Sequence, residues 1–459
     1  MDIQFLGAAE GVTGSCYLLR VGGRQLLLEC GQFQGSNKDE ARNREPFPIP
    51  VRDIDAVVLS HAHIDHSGRL PLLAREGYTG PIYTHHASRA LCDIMLRDSG
   101  YLHEKDAEWE NRKRRRKGLP RIEPLYTQAD AEQVMQQFIG IDYGRSKEIL
   151  PGVTVQLSDA GHILGAAIVE LWLEESGHKR KLVFSGDLGH ADSPIMPDPC
   201  RIESADLLLM ESTYGDRMHR SFDATLSELA AVFAAASASG GNIIIPAFAV
   251  GRTQDLLYLM SEHYEAWGLD RWKVFLDSPM AIRTTDVYAD FRHLYDAKLF
   301  PHGQDRPALE NLHMSPSSAD SMAINELESG AIIIAGSGMC TGGRVRHHLK
   351  HNVWRPECHI VIVGFQAYGT LGRRLVDGAD YVRLWGEAIR VNAQVHTVGG
   401  LSAHADQAGL LSWYAGFKSP PPVRLVHGEP KAQRVLKSRL ESEYGANVEI
   451  PSLGLRMEL

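Results

Sequence analysis

The sequence predicts an α/β fold of more than one domain. Short apolar runs recur along the chain with helical stretches between them, and polar or glycine-rich residues stand directly after those runs. A chain of 459 residues also exceeds what one ordinary hydrophobic core organises.

Taken in order, the runs are Leu26 to Leu28, Ala56 to Leu59, Lys181 to Phe184, Leu207 to Met210, Asn242 to Ile245, Ala331 to Ile334, His359 to Val363 and Val423 to Val426. Each has strand length and is too short for a helix of its own. The residues that follow them are Glu29, His61, Ser185-Gly186-Asp187, Glu211, Pro246-Ala247-Phe248, Gly336-Ser337-Gly338, Gly364-Phe365 and His427-Gly428-Glu429. Strand ends of this kind are where open α/β sheets build their sites.

Composition narrows the class. Hydrophobic residues make up 44% and charged residues 23%, the balance of a globular protein. No run approaches the ~18 apolar residues of a membrane span, and Met1 to Gly7 lack the basic and apolar regions of a secretory signal, so a cytoplasmic location without membrane contact is expected. The six cysteines (Cys16, Cys30, Cys92, Cys200, Cys340, Cys358) form no C-x-x-C pair, which argues against a disulfide framework and a cysteine metal cage. A formal net charge of −9 argues against a protein that coats nucleic acid by bulk attraction, while leaving local phosphate-binding patches open. One such patch is Arg112-Lys113-Arg114-Arg115-Arg116-Lys117, which follows Glu104, Asp106, Glu108 and Glu110 and reads either as a solvated helix face or as a surface facing RNA. Proline-rich pieces at Pro194 to Pro199 and Ser419 to Pro422 are candidate domain joints.

The most concentrated chemistry lies in His61-Ala62-His63-Ile64-Asp65-His66, just past a predicted strand. Residues two apart in an extended segment point to one side, so His61 and His63 suit one ion while Asp65 and His66, beyond the turn, suit a second. The competing reading is a surface loop that happens to be rich in histidine. Further candidate ligands stand in glycine-flanked or strand-end settings: His162 in Ala160-Gly161-His162, Asp187 in Ser185-Gly186-Asp187, and His427 in Val426-His427-Gly428. Each alone is as well explained by a buried histidine or a turn-capping aspartate.

As an ordered set, Glu29, His61-x-His63-x-Asp65-His66, His162 and Asp187 resemble the signature of the metallo-β-lactamase superfamily. Met210 to Gly215, Pro246 to Arg252, Gly336 to Met339, Leu401 to Asp406 and Val426 to Glu429 extend the likeness to its β-CASP subfamily of RNA-processing nucleases, over essentially the whole chain. The resemblance implies an αββα metallo-β-lactamase sandwich formed by residues 1–208 and 391–459, a β-CASP domain inserted at 209–390, and an active site in the cleft between them. It makes His61, His63 and His162 ligands of one zinc, Asp65, His66 and His427 ligands of a second, and Asp187 the bridge. Glu29, where many relatives carry Asp, becomes an acceptor behind a ligand imidazole. Asp65, Glu211 and His404 become the catalytic group, His404 protonating the leaving oxygen with Glu211 beside it. Ser337, Gly338, Met339, Arg252, Gln366, Gly369 and Arg373, with Arg374, become contacts to RNA phosphates. His396, His85-His86 and His347-His348 remain structural.

The expectation is therefore a ribonuclease with two Zn²⁺ per chain that cuts single-stranded RNA by attack of a metal-bridged hydroxide, endonucleolytically and with 5′→3′ exonuclease activity open, in RNA processing or decay. Two metals about 3.5–4 Å apart suit that reaction because they activate water and neutralise the phosphodiester together. The alternatives are a small-molecule ester or thioester hydrolase and a non-catalytic RNA-processing subunit. The inserted domain and the His404–Glu211 pair weigh against the first, and the complete ligand set against the second. A homodimer stays open.

Overall fold

All eight apolar runs fall on strands, with Leu59, Asn242 and Val363 one residue beyond theirs, and the computed structural model describes residues 1–296 and 309–459. The chain forms two units: Met1–Ala191, Asp198–Met218 and His404–Leu459 make the first, and Asp192–Pro197 with His219–Ala403 make the second. Of the two proline-rich pieces, Pro194 to Pro199 spans a unit boundary, whereas Ser419 to Pro422 is a loop inside the first unit, where the Pro422 carbonyl accepts from Leu208 N–H at 2.9 Å.

The first unit contains two seven-stranded sheets. One runs Arg456–Glu458, Asp2–Gly7, Cys16–Val21, Arg24–Leu28, Ala56–Val58, Ile82–His85, Phe138–Ile141; the other runs Lys147–Leu150, Val153–Asp159, Ala167–Glu175, His178–Phe184, Leu207–Glu211, Val423–Val426, Val448–Glu449. In both, the first four strands pair antiparallel and the remaining ones parallel. Alternate residues of each sheet (Ile3, Phe5, Tyr17, Leu19, Leu26 and Leu28 from one; Val153, Val155, Leu157, Val169, Leu171, Leu182 and Phe184 from the other) share one buried core. Period-two burial is the mark of sheets packed face to face. Each fully buried Leu, Val or Phe in such a core stabilises the fold by about 1.5–3 kcal/mol.

The switch from antiparallel to parallel pairing positions the site. Parallel strands end their C-termini at the same edge, and Leu28, Val58, Phe184, Glu211 and Val426 all close such strands. Their following residues include Glu29, His61, Asp187 and His427.

The second unit is built on a six-stranded sheet in the order Leu312–Met314, Lys273–Asp277, Ala331–Ala335, Ile243–Pro246, His359–Ile362, Gln394–Thr397, parallel throughout. Its three central strands are buried at every residue, which is why they read as unbroken apolar runs. No helix of the described residues is long and apolar enough to cross a membrane.

Candidate metal centre

Close backbone approach comes first. A Cβ on Gly31 would lie 1.6 Å from the Asp65 carbonyl oxygen, so only glycine lets the loop after Arg24–Leu28 pass beneath the histidine loop. Ser15 N–H and Cys30 N–H then bond to the Asp65 and His66 carbonyls at 2.9 and 2.8 Å. Gly189 works alike: its Cβ would meet Gly161 O at 2.0 Å, and its N–H bonds to Ala160 O, which joins the His162 turn to the segment after Asp187.

Seven side chains converge on this frame. His61 Nε2 lies 3.1 Å from His63 Nδ1, which lies 3.2 Å from His162 Nε2. Asp187 Oδ2 is 3.5 Å from His61 Nε2 and 3.6 Å from His162 Nε2. On its other side, Asp187 Oδ2 is 3.4 Å from His66 Nε2 and Oδ1 is 3.4 Å from His427 Nδ1. His66 Nε2 and His427 Nε2 are 3.1 Å apart, and Asp65 Oδ2 is 3.4 Å from His427 Nε2. The candidate donor atoms form overlapping groups: His61, His63 and His162 with Asp187; Asp65 and His66 with His427; Glu29 with His61 and His66; and Asp187 with Glu211 and His427.

These residues fit metal ions. Donors bound at about 2.0–2.1 Å to a tetrahedral ion stand about 3.3 Å from one another, and the observed separations cluster around that value. Asp187 is 1% exposed, yet neither carboxylate oxygen forms a hydrogen bond among the described residues. A buried carboxylate with open lone pairs is costly unless a cation completes it. Burial holds His61 well below the ordinary histidine pKa and brings His63 down to about 4, keeping both imidazoles in the neutral form that ligates. Burial would also lower His66, but the Asp187 and Asp65 carboxylates outweigh it and hold that group well above its usual value.

A further shell fixes ring directions. Glu29, fully buried, accepts from His66 Nδ1 at 2.5 Å, from Ser60 N–H at 2.6 Å and from Ser60 Oγ at 2.9 Å. Ser60 Oγ also lies 3.0 Å from His61 Nδ1, and Thr213 Oγ1 lies 3.1 Å from His427 Nδ1. Sequence reasoning passed over Ser60 and Thr213. The signal available was position alone, Ser60 adjoining His61 and Thr213 lying in the Met210 to Gly215 motif.

His404 and Glu211 stand beside the cluster. His404 forms an isolated bridge to Gly189, and Ala405 N–H bonds to Leu188 O at 2.7 Å. His404 Nδ1 is 3.3 Å from Glu211 Oε1 and 3.9 Å from Asp187 Oδ2. Burial alone would lower this imidazole, but Glu211 first and Asp187 next raise it to about 9. Glu211 is held in turn by Leu188 N–H at 2.7 Å and Thr213 N–H at 3.3 Å.

The residues expected to touch phosphate lie in the second unit. Ser337, Gly338 and Met339 follow the strand Ala331–Ala335; Gln366 Nε2 donates to Gly338 O at 2.9 Å, and Gly372 N–H bonds to Met339 O at 3.2 Å, tying the two glycine-rich loops together. Gly369 has a φ of +83°. Arg252 is buried with Asp255 at 3.5 Å, and Arg373 pairs with Asp377, so both guanidiniums already have carboxylate partners. His396 stacks on His359 within the same sheet, 2.9 Å between Nε2 and Nδ1.

Three family models match the chain: a metallo-β-lactamase superfamily model over residues 9–144, a Beta-Casp domain model over 253–375, and a Zn-dependent metallo-hydrolase RNA specificity domain model over 388–451. The chain belongs to the β-CASP branch of the metallo-β-lactamase superfamily. It is 39% identical to Ribonuclease TTHA0252 of Thermus thermophilus over 99% of both chains. It is 32% identical to the Transcription termination factor FttA of Methanocaldococcus jannaschii, over 93% of this chain and 67% of that one. A crystal structure of a protein of unknown function from Enterococcus faecalis V583 aligns with a TM-score of 0.57 at 13% identity, over 100% of this chain and 99% of that one, a likeness of fold alone. His162, Asp187 and Glu211 fall outside the residues matched by the three models.

Proposed function

We propose that this chain is a zinc-dependent ribonuclease that hydrolyses phosphodiester bonds of single-stranded RNA in RNA processing or decay. The carrying observation is the convergence of His61, His63, His162, Asp65, His66 and His427 on Asp187, whose buried oxygens have no hydrogen bond among the described residues, with the His404–Glu211 pair alongside. RNA as substrate is supported by the relative named a ribonuclease, alike over its full length, and by the RNA specificity domain model. The relatives named transcription termination factors are longer than this chain, so that role is not carried over with the chemistry.

His61, His63 and His162 would hold one zinc, Asp65, His66 and His427 a second, and Asp187 would face both. When bound, the two ions supply Lewis-acid activation of water and neutralise charge on the phosphodiester. Glu29 and Ser60 fix the His66 and His61 rings, and Thr213 that of His427, so the donor atoms stay aimed without reorganisation. Glu211 holds the proton on His404, which hands it to the leaving oxygen, a transfer worth typically 10²–10⁴-fold. Ser337, Gly338, Met339 and Gln366 in the second unit, with Arg252, Gly369 and Arg373, would receive RNA phosphates.

The test is cleavage of end-labelled single-stranded RNA and matched DNA by zinc-loaded protein at nucleotide resolution, with His404→Ala as control. RNA cuts that fall about 10²–10⁴-fold in the variant at unchanged metal content support the reading. Equal rates remove His404 from the mechanism. Internal cuts identify an endonuclease, and a ladder from the 5′ end an exonuclease. Hydrolysis of small esters with RNA left intact would replace this reading by an ester hydrolase.

A further inference from the structure

The helix His86–Arg116 changes character halfway along. Its first half buries Leu91, Cys92, Ile94, Met95 and Leu96, while beyond Gly100 it buries only Ala107. The exposed second half is not simply polar. Trp109 is 59% and Tyr101 44% exposed, large aromatic surfaces left in solvent. At 100° per residue, Tyr101, Lys105, Trp109, Arg112, Lys113 and Arg116 share one face, a stripe roughly 22 Å long at 1.5 Å per residue. Lys113 Nζ sits over the Trp109 ring, 2.9 Å from its centroid, and Lys105 Nζ lies 5.6 Å from that of Tyr101. Glu104 and Glu110 project off this face, Asp106 and Glu108 sit at its margins, and Glu108 pairs with Lys105 Nζ at 3.0 Å, which leaves Arg112, Lys113 and Arg116 as the cations turned to a ligand. The end of the helix is pinned, since Asn111 makes two 2.8 Å hydrogen bonds with the Ile122 backbone.

Aromatic rings interleaved with cations along a fixed line match single-stranded nucleic acid, whose unpaired bases offer π-faces and whose backbone offers a negative charge per nucleotide. A solvated helix face needs neither exposed ring. A membrane surface wants a broad apolar face, which Tyr101, Trp109 and the half-exposed Leu102 among four cations do not provide.

We propose that this stripe is a second binding site for single-stranded RNA, outside the histidine cluster, which holds the strand while it is cut elsewhere. The site rests on the ribonuclease reading above and deepens it. It binds by stacking on Tyr101 and Trp109 and by phosphate contacts from Arg112, Lys113 and Arg116, so it selects length and single-strandedness over sequence.

The experiment compares kinetics on RNAs of about 30 and about 6 nucleotides, the longer spanning several stacking and phosphate contacts. In Tyr101→Ala/Trp109→Ala, KM for the long RNA rises about fivefold or more per ring removed, while kcat and the short RNA are unaffected. In Arg112→Gln/Lys113→Gln/Arg116→Gln, the slope of log affinity against log salt flattens by about 2, as three lost contacts to a single strand require. Trp109→Phe keeps the long-RNA KM near wild type. Unchanged long-RNA kinetics in both multiple variants overturn the site while leaving the ribonuclease reading intact. Loss of binding to phosphatidylserine vesicles with RNA kinetics unchanged overturns it in favour of a membrane surface. Wild-type protein that neither binds nor cuts RNA overturns both readings, and the wild-type trace alone distinguishes that case.

Discussion

Asp187 and Asp277 are both fully or nearly fully buried carboxylates at the C-terminal ends of parallel strands, both with histidine neighbours, and their surroundings differ in one respect. Asp277, in the second unit, is completed by protein: Arg344 Nη1 donates to Oδ1 at 2.7 Å, while Ser321 Oγ and His348 Nε2 reach Oδ2 at 2.6 Å. Asp187, in the first unit, has imidazole nitrogens at 3.4–3.6 Å around it and no hydrogen bond on either oxygen among the described residues. A cluster of buried His and Asp is therefore not in itself a metal site. Open acceptor capacity separates a centre waiting for a cation from an ion pair already satisfied.

The largest test of that contrast is removal of each carboxylate. Asp187→Ala is expected to abolish RNA cleavage, at least as severely as the roughly 10²–10⁴-fold loss expected for His404→Ala, and to lower bound zinc.

Asp277→Asn should do the reverse, costing about 3 kcal/mol by leaving Arg344 without its buried partner, with metal content per folded molecule unchanged. Burial would raise the Asp277 pKa, but His348, Ser321 and Arg344 outweigh it and lower it. A carboxylate depressed on folding contributes its stability above its unfolded value and loses it as pH falls through the folded one. The gap in stability between wild type and Asp277→Asn should thus narrow as pH drops below about 4 and be constant near neutrality. Denaturant unfolding across that range checks both statements.

How much of this was legible differs between the two units for the same reason. The eight strands read from the sequence are ones whose burial leaves unbroken apolar runs, as in Ile243–Pro246 and Ala331–Ala335, whereas antiparallel strands such as Asp2–Gly7 and Val153–Asp159, buried at alternate residues, gave no such run. Four of the candidate ligands were readable because six adjacent residues running into the short helix Ile64–Ser67 concentrate three histidines and an aspartate, whereas His162, Asp187 and His427 stood out only in their company. Asp277 and His348 show the limit. They lie 71 residues apart, and nothing local in the sequence announces a buried pair. Ser60 and Thr213 were missed because a hydroxyl behind an imidazole leaves no spacing signature. Residue type likewise carries no information about the Asp255 and Asp377 carboxylates that meet Arg252 and Arg373.

Smaller effects sharpen the contrast within the metal centre itself. Glu29→Gln keeps the volume behind His66 but removes the charge that accepts its Nδ1 proton, and zinc affinity should fall about 10–100-fold, the usual effect of losing such a partner. Competition with a chelator measures this directly. Unchanged affinity would mean that a neutral amide oxygen holds the His66 ring as well as the carboxylate does.

The smallest expected effect belongs to Thr213→Val, which preserves shape and deletes the hydroxyl 3.1 Å from His427 Nδ1. One neutral hydrogen bond is worth about 0.5–1.5 kcal/mol, so zinc affinity at the second position should weaken by less than about 15-fold while the first position holds its metal. Chelator titration resolves the steps. Equal loss from both would show that the two positions are coupled, because the His427 ring reaches the first group through Asp187 and through His66, whose ring lies 4.1 Å from that of His61.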